Sequence, residues 1–524
     1  MARLPLFQDV QRSLRIASWL NKTGTGTSEA LERIEAARWN RRRFLKTVVA
    51  AAAGASVTPV FRAAARGPQA ARVVIVGAGT AGLVCAYRLQ QQGIAARVIE
   101  ASTRPGGRMF SLRNFFPDDQ LTELGGEYID SGHHTMRDLV KELGLTLNDL
   151  GSDEEPEGAH AYFFENRLLP VDGSFIDLFR PVAKAVAEDL KKMKVHGEIE
   201  YDTQHARTID RLSIPEWLEK RRITGVVTKV LRAAYVGEYG LEIDQQSALN
   251  LLLTMGDEAA ADDFRIFGTS DERFHIAEGN DRVPTLLSER LKSPVEFGTR
   301  LESLASDGSG FTLGLQRDGA VEEAKADMVV LAIPFTLLRR LDLKVKLPEA
   351  KRKAIKELGY GTNAKLITGF SRRVWEESQS TGYTFTDLDF QCCWETSRGQ
   401  PGSHAILTNF AGGKLGERLN DGDLQERAAA FASQVDRIYP GAAAAFTTKA
   451  VRQHWPSSPF ALGSYTCYKP GQYSTLAESV ATAAGNLFFA GEHTSENFNG
   501  YMEGAAESGE RAAKEVLAKV GRRG

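Results

Sequence analysis

The chain has 524 residues, 42% hydrophobic and 25% charged, the balance of a soluble globular protein large enough for more than one core. Its formal net charge of -2 implies neither a nucleic-acid partner nor a membrane surface. Cys85, Cys392, Cys393 and Cys467 form no CxxC pair and the nine histidines show no HExxH spacing, so the thiols read as free and buried, with neither a disulfide framework nor a metal site.

Residues 1–66 form an N-terminal extension. Within and just after it, "NRRRFLKTVVAAAAGASVTPVFRAAARG" places consecutive arginines before Phe44-Leu45-Lys46, a small and apolar run, and Ala63-Ala64-Ala65. This resembles a bacterial twin-arginine export signal with an A-x-A cleavage site, although Asn40 stands where Ser or Thr is usual. The apolar run is shorter than the roughly 20 residues needed to span a bilayer. The expected location is the periplasm or outside the cell. The helix-like run Ala30 to Trp39 supports the alternative, an uncleaved extension on a cytoplasmic protein.

The body opens with a βαβ pattern. "RVVIV" (Arg72 to Val76) reads as a buried strand and runs into Gly77-Ala78-Gly79-Thr80-Ala81-Gly82. Leu83, Ala86 and Leu89 share one helical face, Gly93 ends the helix, and "ARVIE" forms a second strand closing at Glu100. In this setting the G-x-G-x-x-G is a dinucleotide fingerprint. Its glycines let backbone approach a pyrophosphate at a helix N-terminus, and Glu100 accepts from the ribose hydroxyls. Arg104-Pro105-Gly106-Gly107-Arg108 follows, with Arg108 as a counter-charge for pyrophosphate.

Further along, "ELGGEYID" runs from Glu123 to Asp130, and helical runs cover Ile176 to Lys194 and Ile223 to Tyr235. "PVEF" and "MVVLAIP" read as strands, as do Lys365 to Phe370 and Ala405 to Asn409. Near the end, the strand Leu487-Phe488-Phe489-Ala490 leads into "GEHTSENFNGYMEGAAESGERAA". A packing helix there would use Leu and Ala. Gly500, Gly504 and Gly509 cost about 0.5–1 kcal/mol each if helical, so something approaches this backbone closely.

"VIVGAGTAGL", "GGR", "ELGGEYI", "GTNAKL", "AGEHTS" and "GYMEGAAESGERAA" together resemble the flavin-containing amine oxidases, the monoamine and L-amino acid oxidases, from Arg72 to Val520. The resemblance implies an α/β fold: a discontinuous FAD-binding domain of glutathione-reductase type (72–150, 265–342, 451–520) interleaved with an α+β substrate domain (151–264, 343–450). It implies FAD contacts from Gly77, Gly79, Thr80, Ala81, Gly82, Glu100, Ala101, Gly107, Arg108, Gly125, Gly126, Val295, Trp455, Gly491, Glu492 and Met502. Lys365 would be the active-site lysine, reaching flavin N5 through a water. Tyr465 and Tyr501 would form an electron-rich slot for the amine, with Glu127 and Tyr128 beside it. Glu127 either steers a cationic substrate or caps backbone amides.

Ser464 stands where monoamine oxidases carry a flavin-linked cysteine, so the resemblance implies non-covalent FAD. Tyr128 stands where many L-amino acid oxidases carry a carboxylate-binding arginine. The expected reaction is oxidative deamination of a primary amine with oxygen as acceptor. The expected substrate is an L-amino acid if another Arg or Lys replaces the missing clamp, and otherwise a decarboxylated monoamine or a polyamine. A carbon–carbon desaturase or protoporphyrinogen-type oxidase is the further alternative. No membrane anchor is expected, and a homodimer is compatible with the family.

Overall fold

The computed structural model describes residues 71–151, 159–170, 173–196, 198–256, 271–306, 308 and 310–521. The N-terminal extension lies outside these residues.

The strand Val73–Val76 alternates between two cores. Val73 and Ile75 pack with the helices Thr80–Gln91 and Met502–Val520, whereas Val74 and Val76 face the opposite cluster. A strand covered on both faces must be apolar throughout, as this one is. It lies inside a four-stranded parallel sheet ordered Arg97–Ile99, Val73–Val76, Met328–Leu331, Leu487–Phe489. The two ends of the described chain therefore share one sheet. "PVEF" departs from the expected strand and contributes a single bridge, Glu296 to Ile99. Pro294 has no N–H for a ladder, and Gly298 turns the chain at φ +68°. A second four-stranded sheet (Ala320–Ala326, Phe311–Arg317, Thr299–Ser306, Asp342–Lys344) covers the far face through Leu301, Leu304, Leu313 and Leu315.

The remaining large element is a seven-stranded mixed sheet, ordered Phe446–His454, Ala364–Phe370, Ala405–Ala411, Cys392–Glu395, Ser380–Thr386, Ala159–Phe164, Arg167–Leu169. The helices Gly173–Met193, Val226–Tyr239 and Ala248–Met255 form one apolar core with it, and Leu424–Asp436 closes another. Val226–Tyr239 starts later and ends later than its apolar pattern indicates. Gly225 precedes it at φ +89°, and Gly240 ends it in the left-handed conformation at φ +74°. Ala364–Phe370 is buried along its whole length, so Lys365 lies inside a sheet and not at its rim. All four cysteines are free and buried. Among the described residues, no helix is long and apolar enough to cross a membrane.

Candidate active site

The first and last segments of the described chain meet around a cavity of about 670 Å³. Its wall includes Gly77, Gly79, Thr80 and Ala81 from the first turn, Glu100 and Ala101 from the second strand, and Gly107 and Arg108. From the other end come Trp455, Tyr465, Gly491, Glu492, Gly500, Tyr501 and Met502. Two helices begin at this wall. Thr80–Gln91 starts after Gly79 and Met502–Val520 after Tyr501, and neither start has a side-chain cap. Their first N–H groups are left for acceptors in the cavity, at the positive ends of two helix dipoles.

The glycines of the first turn have different tasks. Gly77 sits at φ +102°, and a Cβ there would lie 2.8 Å from the Ala332 carbonyl oxygen. A Cβ on Gly82 would lie 2.0 Å from the Gly77 carbonyl oxygen. Packing within the protein requires both. At Gly79 a Cβ would meet no protein atom, so this glycine leaves the cavity side bare. Glu100 is fixed at the wall by one backbone amide of the glycine turn and one of its own loop. Its carboxylate accepts from the Ala78 N–H at 2.7 Å and the Ser102 N–H at 2.8 Å.

Arg108 joins the two halves. Its Nη1 donates to the Glu492 carboxylate at 2.9 Å and the Ser464 carbonyl at 2.5 Å. The positive charge assigned from sequence to a pyrophosphate is thus matched by a carboxylate. Glu492 also accepts from the Gly500 N–H at 2.8 Å. Burial pushes the Glu492 carboxyl up, but Arg108 and the surrounding donors outweigh it and hold the group below its ordinary value. Gly125 and Gly126 sit behind this loop. A Cβ on Gly125 would lie 1.8 Å from the Arg108 carbonyl oxygen, to which the Gly126 N–H donates at 3.1 Å. Gly82, Gly125, Gly126 and Val295 are not part of the cavity wall, and Val295 belongs to the core around the first helix.

Next to Glu492, His493 is buried against the Phe335 ring, with centroids 4.5 Å apart, and neither ring nitrogen has a hydrogen-bond partner. Burial pushes its pKa from 6.5 down to about 3; Glu492 opposes this, and Arg108, Lys351 and Arg511 reinforce it. The unfolded chain takes up this proton below pH 6.5 and the folded chain does not, so stability falls as pH drops from 6.5 toward 3. The loss between pH 6.5 and 5 should be about 2 kcal/mol. His493→Gln should flatten the melting temperature across that interval; an unchanged slope would show that another group sets the acid sensitivity.

Lys365 does not line the cavity. Its Nζ donates to Glu127 Oε2 at 2.6 Å and to the carbonyls of Glu123 and Gly125 at 2.8 and 3.0 Å. An ammonium has three N–H bonds, and here each has an acceptor. Glu127 is the partner of this lysine and caps no backbone amide: its other oxygen accepts from Trp394 Nε1 at 2.8 Å and from the Thr396 hydroxyl. Trp455 donates to the Leu124 carbonyl at 3.1 Å, so Lys365 and Trp455 grip the same short segment. Tyr128 is buried, and the Tyr383 hydroxyl donates to its hydroxyl at 3.1 Å.

Tyr465 and Tyr501 both reach the cavity. Gly500, at φ +84°, lets the backbone lie against the Tyr465 ring, where a Cβ would come within 3.2 Å. The Tyr465 hydroxyl donates to the Gly237 carbonyl at 3.2 Å, and the Tyr501 ring meets His133 at 5.0 Å. Trp394, Thr396 and Tyr383 escaped the sequence reading. They carry no motif, and only strand pairing brings them to Glu127 and Tyr128.

Comparison with known proteins gives a consistent result. The family model described as flavin containing amine oxidoreductase matches residues 80–517. The Bacillus subtilis (strain 168) protein YobN, named provisionally as an L-amino-acid oxidase, is 26% identical over 459 residues, covering 85% of this chain and 94% of that protein. Flavin-containing amine oxidase A from Sus scrofa is 25% identical over 468 residues, covering 86% of this chain and 85% of that one. Among solved structures, cyclohexylamine oxidase from Brevibacterium oxydans IH-35A superposes with a TM-score of 0.75 at 20% identity, over 86% of this chain and 100% of that chain.

Proposed function

The chain belongs to the flavin-containing amine oxidoreductases, and from that premise we propose that it oxidises amines carrying no carboxylate beside the amino group, received at Tyr465 and Tyr501. It is an FAD-dependent amine oxidase. The cavity suits FAD on its own features: two uncapped helix starts, the bare Gly79 and the anchored carboxylate of Glu100. The Gly77–Ala81 turn would hold the pyrophosphate, Glu100 the ribose, and the start of Met502–Val520 the end of the ring that gains negative charge. FAD held there would supply a two-electron acceptor for the hydrogen on the carbon beside the amine nitrogen, leaving an imine, with oxygen as the final acceptor and hydrogen peroxide as its product. Tyr465 and Tyr501 orient the neutral amine, and Lys365, behind the cavity wall, would influence proton transfer through the Glu123–Glu127 segment that it holds.

The charge at the substrate end carries this reading. The charged groups around Tyr128 and Tyr383 are the carboxyls of Glu127 and Glu272 and, on the Tyr383 side, the guanidinium of Arg398. The lysine there is fully engaged by Glu127 and two carbonyls. A desolvated substrate carboxylate would need a cation at a cost of several kcal/mol without one. One observation favours the amino-acid alternative: Arg398 lies within electrostatic reach of Tyr383. The names of the relatives divide in the same way. Steady-state kinetics on phenylalanine against phenethylamine, and tryptophan against tryptamine, separate the two. Higher kcat/KM for each amine is expected; higher values for the amino acids would overturn the reading and make Arg398 the clamp.

The FAD is held without a covalent bond. Ser464 offers a hydroxyl where a thiol would be needed, and that hydroxyl donates to Asn363 Oδ1 at 2.6 Å. Acid precipitation should leave all flavin in the supernatant; flavin in the pellet would refute this.

A further inference from the structure

Four arginines reach the cavity wall: Arg104, Arg108, Arg300 and Arg340. Three are committed to partners within the protein. Arg108 is held by Glu492 and the Ser464 carbonyl. Arg104 donates to the carbonyls of Pro105, Gly107 and Met109, and its guanidinium lies 3.9 Å from the Phe110 ring centroid. Arg300 donates to Glu302 and Gln316, each at 2.5 Å. Arg340 differs from all three. It is exposed, and among the described residues its guanidinium has neither a hydrogen-bond acceptor nor a carboxylate partner.

Arg340 stands on the segment that leaves the parallel sheet beside the glycine turn. The strand Met328–Leu331 runs into Ala332 and Ile333, and a Cβ on Gly77 would lie 2.8 Å from the Ala332 carbonyl oxygen and from the Ile333 side chain. The chain then passes Pro334 into the short helix Phe335–Leu338. Ala332, Ile333, Pro334, Leu337, Arg340 and Leu341 all reach the cavity, so this segment follows the wall outward from the glycine turn. On its flank, Thr299–Ser306 pairs in parallel with Asp342–Lys344, and the Thr299 N–H donates to the Glu100 carbonyl at 2.9 Å. The Thr336 hydroxyl donates to the Ala461 carbonyl at 2.5 Å, next to the exposed Phe460 of the same wall. Arg340 therefore marks the outer edge of a wall that begins at the turn for the pyrophosphate and at the carboxylate for the ribose.

A pyrophosphate at that turn brings a double negative charge. The start of Thr80–Gln91 offers roughly half a positive charge. Arg108 arrives already matched by Glu492, and Arg104 turns its donors onto its own loop. We propose that Arg340 is the outer counter-charge of the FAD pyrophosphate, a task that the GGR motif suggests for Arg108. This rests on FAD occupying the cavity. Arg108 then shapes the cradle, and Arg340 meets the phosphates from the solvent side. An exposed cation that gains its partner only on binding leaves a signature: the contact is open to screening by salt and depends on charge more than on a buried fork.

The test is flavin fluorescence titration of apoprotein at ionic strengths from about 0.02 to 0.5 M. Arg340→Met should raise the Kd for FAD about tenfold at low salt, the scale of a hydrogen bond to a charged group. The difference should shrink as salt rises. Arg340→Lys should keep most of the affinity, since a point charge serves there. ADP-ribose, which carries the pyrophosphate without the flavin, should lose the same factor as a competitor. The melting temperature of Arg340→Met apoprotein should match wild type, because the guanidinium has no partner to lose. Wild-type affinity in Arg340→Met at low salt, a loss equal at every ionic strength, or unchanged competition by ADP-ribose overturns the assignment. An earlier-melting apoprotein would make Arg340 a structural residue and overturn it too. A wild-type apoprotein that binds no FAD overturns the reading of the cavity and this assignment with it.

Discussion

Lys365→Met should slow flavin reduction or reoxidation by about 10²–10⁴-fold, the usual worth of a positioned proton-handling group. The side chain is buried and donates to a carboxylate and two carbonyls, so its position is fixed within a hydrogen-bond length. Methionine fills a similar volume but leaves Glu127 with only Trp394 and Thr396. Breaking one side of a buried ion pair costs about 3–5 kcal/mol, so the variant should also melt earlier. Lys365→Met with Glu127→Gln removes the stranded charge and should recover much of the stability without the rate. Anaerobic stopped-flow reduction and a separate oxygen mixing experiment read the two half-reactions. If both match the parent, Lys365 is a structural lysine only.

Arg108→Met should weaken FAD binding by about 10²–10³-fold and lower the melting temperature of the apoprotein as well. The arginine holds Glu492 and the Ser464 carbonyl, and Glu492 holds the Gly500 N–H just ahead of Tyr501. Without it, a buried carboxylate keeps that N–H bond and loses its cation, again at about 3–5 kcal/mol. Arg108→Lys should recover little, because one ammonium does not reproduce the planar guanidinium fork. Flavin fluorescence titration of apoprotein measures the first effect and calorimetry the second. Wild-type affinity in Arg108→Met would mean that the clamp does not shape the cofactor site.

What the sequence discloses here is local. The turn from Gly77 to Gly82 is legible because strand, glycines, helix and Glu100 lie within one short unit, in which packing requires Gly77 and Gly82 and Gly79 leaves the cavity side bare. The helix start at Met502 is legible for the same reason, with Gly500 announcing a close approach. The partners of the site residues are not. Glu127 meets Lys365 across 238 positions and Trp394 across 267, and no spacing rule links them. "PVEF" shows the converse. Four residues with strand-like composition make one bridge, between a proline without an N–H and a glycine that turns the chain.

The cofactor cradle is divided between segments 384 positions apart, as the Arg108–Glu492 bond measures. On the ribosome, the glycine turn emerges early and then waits for almost the whole of translation. Until Leu487–Phe489 slides in beside Met328–Leu331, the nascent protein has one helix start and lacks the part of the wall made by Gly491, Glu492, Gly500, Tyr501 and Met502. Contacts of such long range close late in folding. Capture of a flavin thus certifies a finished polypeptide: a chain cut before Leu487 retains the dinucleotide fingerprint yet lacks Glu492, Tyr501 and Met502, and emerges colourless.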